Sequence, residues 1–342
     1  MSKRVLISDP TLRDGNHAVR HQISQDNFAA YCQAAEAAGV PVVEVGHGNG
    51  LGASSMLVGE CSLDDETILR TARANLSKTK LALHAIPGFC TQRHLKMAME
   101  LGVDVFRIAA HCTEADITQR HIDFARSQGK EVFGVLMMSH MASPDMLADE
   151  ARKMEAYGAE GVIIMDSAGA YLPSDVTERI STLAKALNVP VGFHAHNNLG
   201  MGIANSVAAV EAGATIIDGS ARGFGAGAGN AQLEVLVAVF ERMGIETGID
   251  LYKMLDAADL AEKLMIPQLP TISSTSIVSG LSGVFSGFIK QVNSVGEEHG
   301  VDPRDIFFEL GRRNAVAGQE SLILEVALEL AQAKAQRKAA HA

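Results

Sequence analysis

"VFGVLMMSHMASPDMLADEARKMEAYGAEGVIIM" spans Val132–Met165 and holds one complete strand–helix–strand repeat. Val132–Met137 is apolar almost without interruption, as expected of a parallel strand covered on both faces. Pro144–Tyr157 follows with a helical, amphipathic pattern, and "YGAEGV" puts glycine where that helix ends and the chain turns back. Gly161–Met165 is then apolar again.

The same alternation extends in both directions. Further strand candidates are Val5–Ser8, Val42–Val45, Leu81–Ile86, Val105–Ala109, Val191–Phe193 and Ile216–Asp218. Helical patterns between them include Gln25–Ala38, Gln92–Leu101 and Ser174–Leu187, and "AAGV", "LGVD" and "EAGAT" repeat the glycine turn. Eight strands alternating with helices predict an α/β fold, a (β/α)8 TIM barrel. The eighth unit closes with a helix around Ala231–Met243. From Gly248 the pattern becomes helical and rich in small residues, as in "SSTSIVSGLSGVFSG" at Ser273–Gly287. The expected division is a catalytic barrel over residues 1–247 and a C-terminal helical region over 248–342, serving as lid or partner interface. Its last stretch, "ALELAQAKAQRKAAHA", reads as an exposed helix with a frayed end.

The chain has 342 residues, 47% of them hydrophobic, enough for one large domain and an appendage. A net charge of −11 argues against a nucleic-acid partner. No apolar run reaches the roughly 18 residues of a membrane span, and nothing at the N-terminus resembles a signal peptide. Cys32, Cys61, Cys90 and Cys112 form no C-x-x-C pair and suit reduced thiols in a cytoplasmic protein.

Barrel enzymes place their chemistry in the loops after the strands. Seven of the 12 histidines fall there: His17, His47, His84, His111, His140, His194 and His196. Any one alone reads most simply as a histidine bonded to backbone. The cluster asks for more. In "HAH" (His194–His196), positions i and i+2 of a strand face one side, so both imidazoles point into the barrel mouth. Two imidazoles and a carboxylate suit a divalent transition metal. "DPTLRDGNHAVRHQ" (Asp9–Gln22) follows the first strand, and barrel closure brings its Asp14 toward strands seven and eight. The alternative is a solvated histidine pair. "GFGAGAGN" (Gly223–Asn230) follows strand eight rather than the first strand of a dinucleotide fold, so it reads as a close-approach loop near the metal, with Asn230 at the edge of that site.

"TLRDGNH" (Thr11–His17), "EVGHGNGLG" (Glu44–Gly52), "HCTEAD" (His111–Asp116), "MMSHMA" (Met137–Ala142), "HAHNNLGMGIANS" (His194–Ser206) and "GFGAGAGN" together resemble the 4-hydroxy-2-oxovalerate aldolases. These sit in the metal-dependent barrel superfamily that includes isopropylmalate synthase. The similarity covers essentially the whole chain in the same motif order. It implies a class II carbon–carbon lyase that cleaves a 4-hydroxy-2-oxo acid to pyruvate and an aldehyde such as acetaldehyde, in catabolism of aromatic compounds. It also implies Asp14, His194 and His196 as ligands of a divalent metal, usually Mn2+, and an acylating acetaldehyde dehydrogenase as partner in a heterotetramer or similar assembly. Arg13 matches the residue that steadies the enolate oxygen of pyruvate, a role guanidinium chemistry suits; otherwise it is a salt bridge tying down the first loop. His17 matches the catalytic base, a task for an imidazole of near-neutral pKa. Claisen-condensing relatives typically carry Gln at that position. Ser167 matches a contact to the substrate carboxylate, and is otherwise a turn serine.

Two positions depart from the family. Its active-site Tyr is Phe285 here, so that hydroxyl is gone. The end of strand three, usually apolar, presents His84 beside the distal end of the substrate, either bonded to backbone or as a binding group for a more polar or acidic substrate. "VIIMDSAG" (Val162–Gly169) offers no lysine for a Schiff base. The rival readings are a Claisen-type acyl transferase using acetyl-CoA and a weakly active scaffolding paralogue.

Overall fold

The computed structural model describes residues 3–340. Eight parallel strands close into a barrel in sequence order: β1 Leu6–Leu12, β2 Val42–Val45, β3 Lys80–Ala85, β4 Val105–His111, β5 Glu131–Met137, β6 Gly161–Asp166, β7 Val191–Ala195 and β8 Ile216–Asp218. β1 pairs with both β2 and β8, which completes the ring. The expected strands are all present. β1 runs four residues further than its apolar pattern because Asp9 and Thr11 are satisfied internally. The Asp9 carboxylate accepts from the Thr11 amide at 2.9 Å and from the Tyr31 hydroxyl at 2.6 Å. The register with β2 shifts between Asp9 and Leu12, a local irregularity that starts the active loop.

The surrounding helices are α1 Gln25–Ala38, α2 Asp65–Asn75, α3 Gln92–Glu100, α4 Gln119–Ser127, α5 Pro144–Ala156, α6 Pro173–Ala186, α7 Gly202–Ala212 and α8 Leu233–Arg242. Several begin on a side-chain cap: Ser24, Asp64, Thr91 and Ser143 each accept from a backbone amide in the first turn. Their apolar faces meet the outer faces of the strands, where Leu95, Ile122, Leu147 and Ile180 are fully buried. Inside the barrel, Val105, Phe133, Val135, Ile163 and Ile216 fill the lower layers, so it is a packed core and its open end is the loop face.

Helix α9, Leu251–Met265, packs on α1 against the barrel. Helices α10 Ser274–Ser282, α11 Ile289–His299, α12 Pro303–Arg312 and α13 Ser321–Ala340 form a separate bundle. Its core is built on Val284, Phe288, Val292, Ile306, Phe307, Leu310 and Ile323. The frayed end expected for the last helix falls partly on residues 341–342, outside the described residues. This bundle sits over the barrel mouth. The fully buried Asn198 joins the two, donating to the Ala168 carbonyl (2.9 Å) and the Ser286 hydroxyl (2.8 Å). The Ser286 amide donates to the Ser167 carbonyl at 3.0 Å, and the His140 ring bonds the Gly283 carbonyl at 2.8 Å.

Candidate active site and metal centre

Barrel closure brings Asp14, His194 and His196 together, with their ligand atoms within 4.8 Å of one another. All three are buried. The His194 Nδ1 pairs with the Asp218 carboxylate at 2.8 Å, and the His196 Nδ1 with the Asp166 carbonyl at 2.9 Å. Each contact fixes a ring and leaves Nε2 aimed at the centre. Both Nε2 atoms are buried without a hydrogen-bond partner. Such orphans cost free energy unless something fills the space between them. A divalent cation does so, and the outer partners already in place are those that orient ligating imidazoles. His196 Nε2 lies 3.7 Å from Asp14 Oδ2. Burial pushes the His196 pKa down to about 3, so the ring is neutral and ready to ligate. Burial opposes ionisation of Asp14, but the Arg13 guanidinium beside it holds its carboxyl well below the usual range. Asn230 Nδ2 donates to Asp14 Oδ2 at 2.8 Å, which places it beside the candidate ligand carboxylate. Gly225 packs so close that a Cβ there would fall 2.6 Å from the same oxygen, which is why this loop is glycine-rich.

Arg13 lies beside this cluster. Its Nη1 donates to Asp14 Oδ1 at 2.7 Å and its Nε is 3.3 Å from Glu44. Its Nη2 is buried and unpartnered, a donor left for a ligand. His17, from the helical turn Gly15–Ala18, lies in the same cavity against Gly48, where a Cβ would come within 2.5 Å of its Nε2. Burial lowers its pKa to about 4, with Arg13 and His47 pushing the same way against Asp14, so it is a neutral base at physiological pH. The Phe285 ring stands edge-on to His17, centroids 6.4 Å apart. The Ser167 hydroxyl accepts from the Met138 amide at 2.9 Å, which frees its own hydrogen for the cavity. His84 is buried in β3 with Nδ1 3.5 Å from Glu44 Oε1, and it also lines the cavity.

The other histidines divide. His111 lines the cavity, while His140 serves the bundle contact. His47 bonds the Gly59 carbonyl (3.0 Å) and the Asn49 amide (3.0 Å) and stacks on His21 at 3.6 Å. His21 and His47 approach Cys61 as a second possible ligand group. There the ring nitrogens are engaged by backbone and burial pushes the thiol up to about 12, so the trio anchors the loop over residues 53–62.

Reading the residues in sequence missed the ionic layer beneath the site. Arg107, fully buried, donates to Glu44 at 3.0 Å and to Asp218 at 2.5 Å. Asp218 orients His194 and Glu44 contacts Arg13 and His84, so one guanidinium supports both halves of the site. The signal was present: Glu44, Arg107 and Asp218 are charged residues inside strands otherwise apolar on both faces. Asp14, Glu44 and Asp218 are all held ionised against only Arg13 and Arg107, and a divalent cation relieves that excess negative charge.

Residues 4–261 match the HMGL-like family and residues 270–332 the DmpG-like communication domain. The chain is 70% identical to a 4-hydroxy-2-oxovalerate aldolase of Pectobacterium atrosepticum over 97% of both chains. It is 59% identical to one of Streptomyces tendae, over 96% of this chain and 92% of that one. The chain belongs to the 4-hydroxy-2-oxovalerate aldolase family. The carboxyl transferase domain of Rhizobium etli pyruvate carboxylase superposes with a TM-score of 0.81 at 16% identity, covering 97% of this chain and 61% of that one, and shares the fold. In this 4-hydroxy-2-oxovalerate aldolase family member, Asp14 and His196 of the candidate metal cluster, the unpartnered Arg13 donor and the neutral His17 line one cavity of about 380 Å³.

Proposed function

We propose that this protein is a class II aldolase that cleaves a 4-hydroxy-2-oxo acid, such as 4-hydroxy-2-oxopentanoate, to pyruvate and an aldehyde. The observation that carries the reading is the pair of orphaned Nε2 atoms of His194 and His196 facing the Asp14 carboxylate beside Arg13 and His17. Asp14, His194 and His196 would hold the cation, with Mn2+ the proposed occupant. When bound, it supplies Lewis-acid polarisation of the 2-keto group. Ser167 donates its hydroxyl hydrogen to the substrate carboxylate. Neutral His17 takes the proton from the 4-hydroxyl, the C3–C4 bond breaks, and the 4-carbon leaves as an aldehyde. The Nη2 of Arg13 donates to the oxygen of the pyruvate enolate as its charge develops. Protonation at C3 completes pyruvate.

The C-terminal bundle would dock an acylating acetaldehyde dehydrogenase, in a heterotetramer or similar assembly, which the match to a communication domain supports. Leu281 and Phe308, exposed at 64% and 53%, supply apolar surface on the bundle for such a contact. The proposed division of labour is a catalytic barrel with this bundle as lid and partner interface, in a cytoplasmic pathway that degrades aromatic compounds. No described helix is long and apolar enough to cross a membrane. The Claisen and scaffolding alternatives have no observation of their own here. The deciding experiment supplies 4-hydroxy-2-oxopentanoate and, separately, acetyl-CoA with 2-oxo acids to the Mn2+-loaded protein. Equimolar pyruvate and acetaldehyde with no thiol release is the expected result; thiol release without pyruvate would overturn it.

A further inference from the structure

The cavity is larger than acetaldehyde chemistry requires. Its polar end carries Asp14, His196, Arg13, His17 and Ser167. Because the strands are parallel, residues after their C-terminal ends lie further out along the mouth. There the wall becomes mostly apolar, with Ile86, Pro87 and Phe89 after β3, Met137 at the end of β5, and Phe285 and Val316 from the bundle above, while His111, Thr113, Glu114 and Glu320 give its rim a polar side. The whole space is about 380 Å³. A dry apolar cavity of about 150 Å³ already accepts a benzene ring. After a pyruvate unit takes the polar end, a chamber of that order remains, and the methyl group of acetaldehyde would leave it nearly empty. The mouth is open to solvent, so water takes the space that the methyl group leaves, against walls that are largely apolar and gain by being covered.

The wall chemistry narrows what fills it. Phe285 and Phe89 offer ring faces and edges, and the Met137 thioether suits contact with an aromatic ring. A flat, rigid group also loses less rotational freedom on binding than an alkyl chain of equal volume. Phenylalanine at 285 keeps this side free of a hydroxyl, and its ring is held by Gly287, where a Cβ would fall 2.3 Å from Phe285 Cε1.

We infer that the aldehyde end of this site accepts an aromatic aldehyde, so that the substrate class includes 4-aryl-4-hydroxy-2-oxo acids. The inference rests on the aldolase reading and names its substrate more closely. In the synthetic direction, C3 of pyruvate loses a proton and bonds to the aldehyde carbon, whose oxygen takes up a proton to become the 4-hydroxyl. Cleavage is the reverse, and no oxidant or reductant is consumed.

The test measures specificity constants for addition of pyruvate to acetaldehyde, hexanal and benzaldehyde by the full-length Mn2+-loaded protein. Benzaldehyde is expected to exceed acetaldehyde by about tenfold or more, the scale one well-placed apolar group can bring. Val316→Trp, which fills the outer chamber, is expected to lower the benzaldehyde-to-acetaldehyde ratio by a similar factor. A benzaldehyde constant below that of acetaldehyde, or a hexanal constant above that of benzaldehyde, would overturn the inference while leaving the aldolase reading intact. If no aldehyde adds to pyruvate, the aldolase reading itself fails.

Discussion

At the scale of single residues, His17 is the group whose protonation the proposed chemistry turns on. Its pKa of about 4 means that the basic form dominates above about pH 5. Activity that needs neutral His17 is therefore present throughout the neutral range and is lost only as pH falls through about 4. In a pH profile of kcat/KM, a limb between about pH 6 and 7 that disappears in His17→Ala would contradict this. His17→Ala should lower kcat by roughly 10²–10⁴ while metal content stays unchanged; loss of the metal would instead make His17 a ligand. Phe285 and His84 are the positions where the resemblance leads one to expect Tyr and an apolar residue. Phe285→Tyr should sharpen discrimination between the two C4 enantiomers by only a modest factor, since one hydrogen bond is worth about 0.5–1.5 kcal/mol net. His84→Leu should move preference from polar toward apolar short aldehydes. Equal enantiomer ratios in the first variant, or an unaltered aldehyde ranking in the second, would remove the corresponding claim.

At the scale of elements, the eight strands and the "HAH" pair were legible because period and spacing are local properties. The ionic layer was not, because its partners are remote: Arg107 reaches Glu44 across 63 residues and Asp218 across 111. β1 likewise looked shorter than it is, since Asp9 and Thr11 become strand residues only once Tyr31 from α1 meets them. The joint at Asn198 has the same origin, its amide bridging the β6 loop and the bundle 88 residues away. The layer predicts a specific failure. Arg107→Leu leaves Glu44 and Asp218 as uncompensated buried anions, and unfolding experiments should show a loss of about 3–5 kcal/mol. A variant as stable as the parent would mean that the two carboxylates are not held ionised by Arg107.

At the scale of the whole molecule, the barrel supplies a rigid ring of loops and the bundle closes one side of it with Phe285 and Val316. The bundle is thus a wall of the cavity and the segment that matches a communication domain, and under the proposed reading an aldehyde leaving C4 would form beside the partner's docking surface. In the proposed reading, all of it depends on a cation held by Asp14, His194 and His196. The most direct measurement is a titration of Mn2+ into metal-free protein, following bound metal and pyruvate release from 4-hydroxy-2-oxopentanoate together. The account predicts a single cation per chain, activity rising with occupancy and saturating with it, and His196→Ala deficient in both while its fold is retained. Pyruvate release at full rate by the metal-free protein, or undiminished metal binding by His196→Ala, would contradict it.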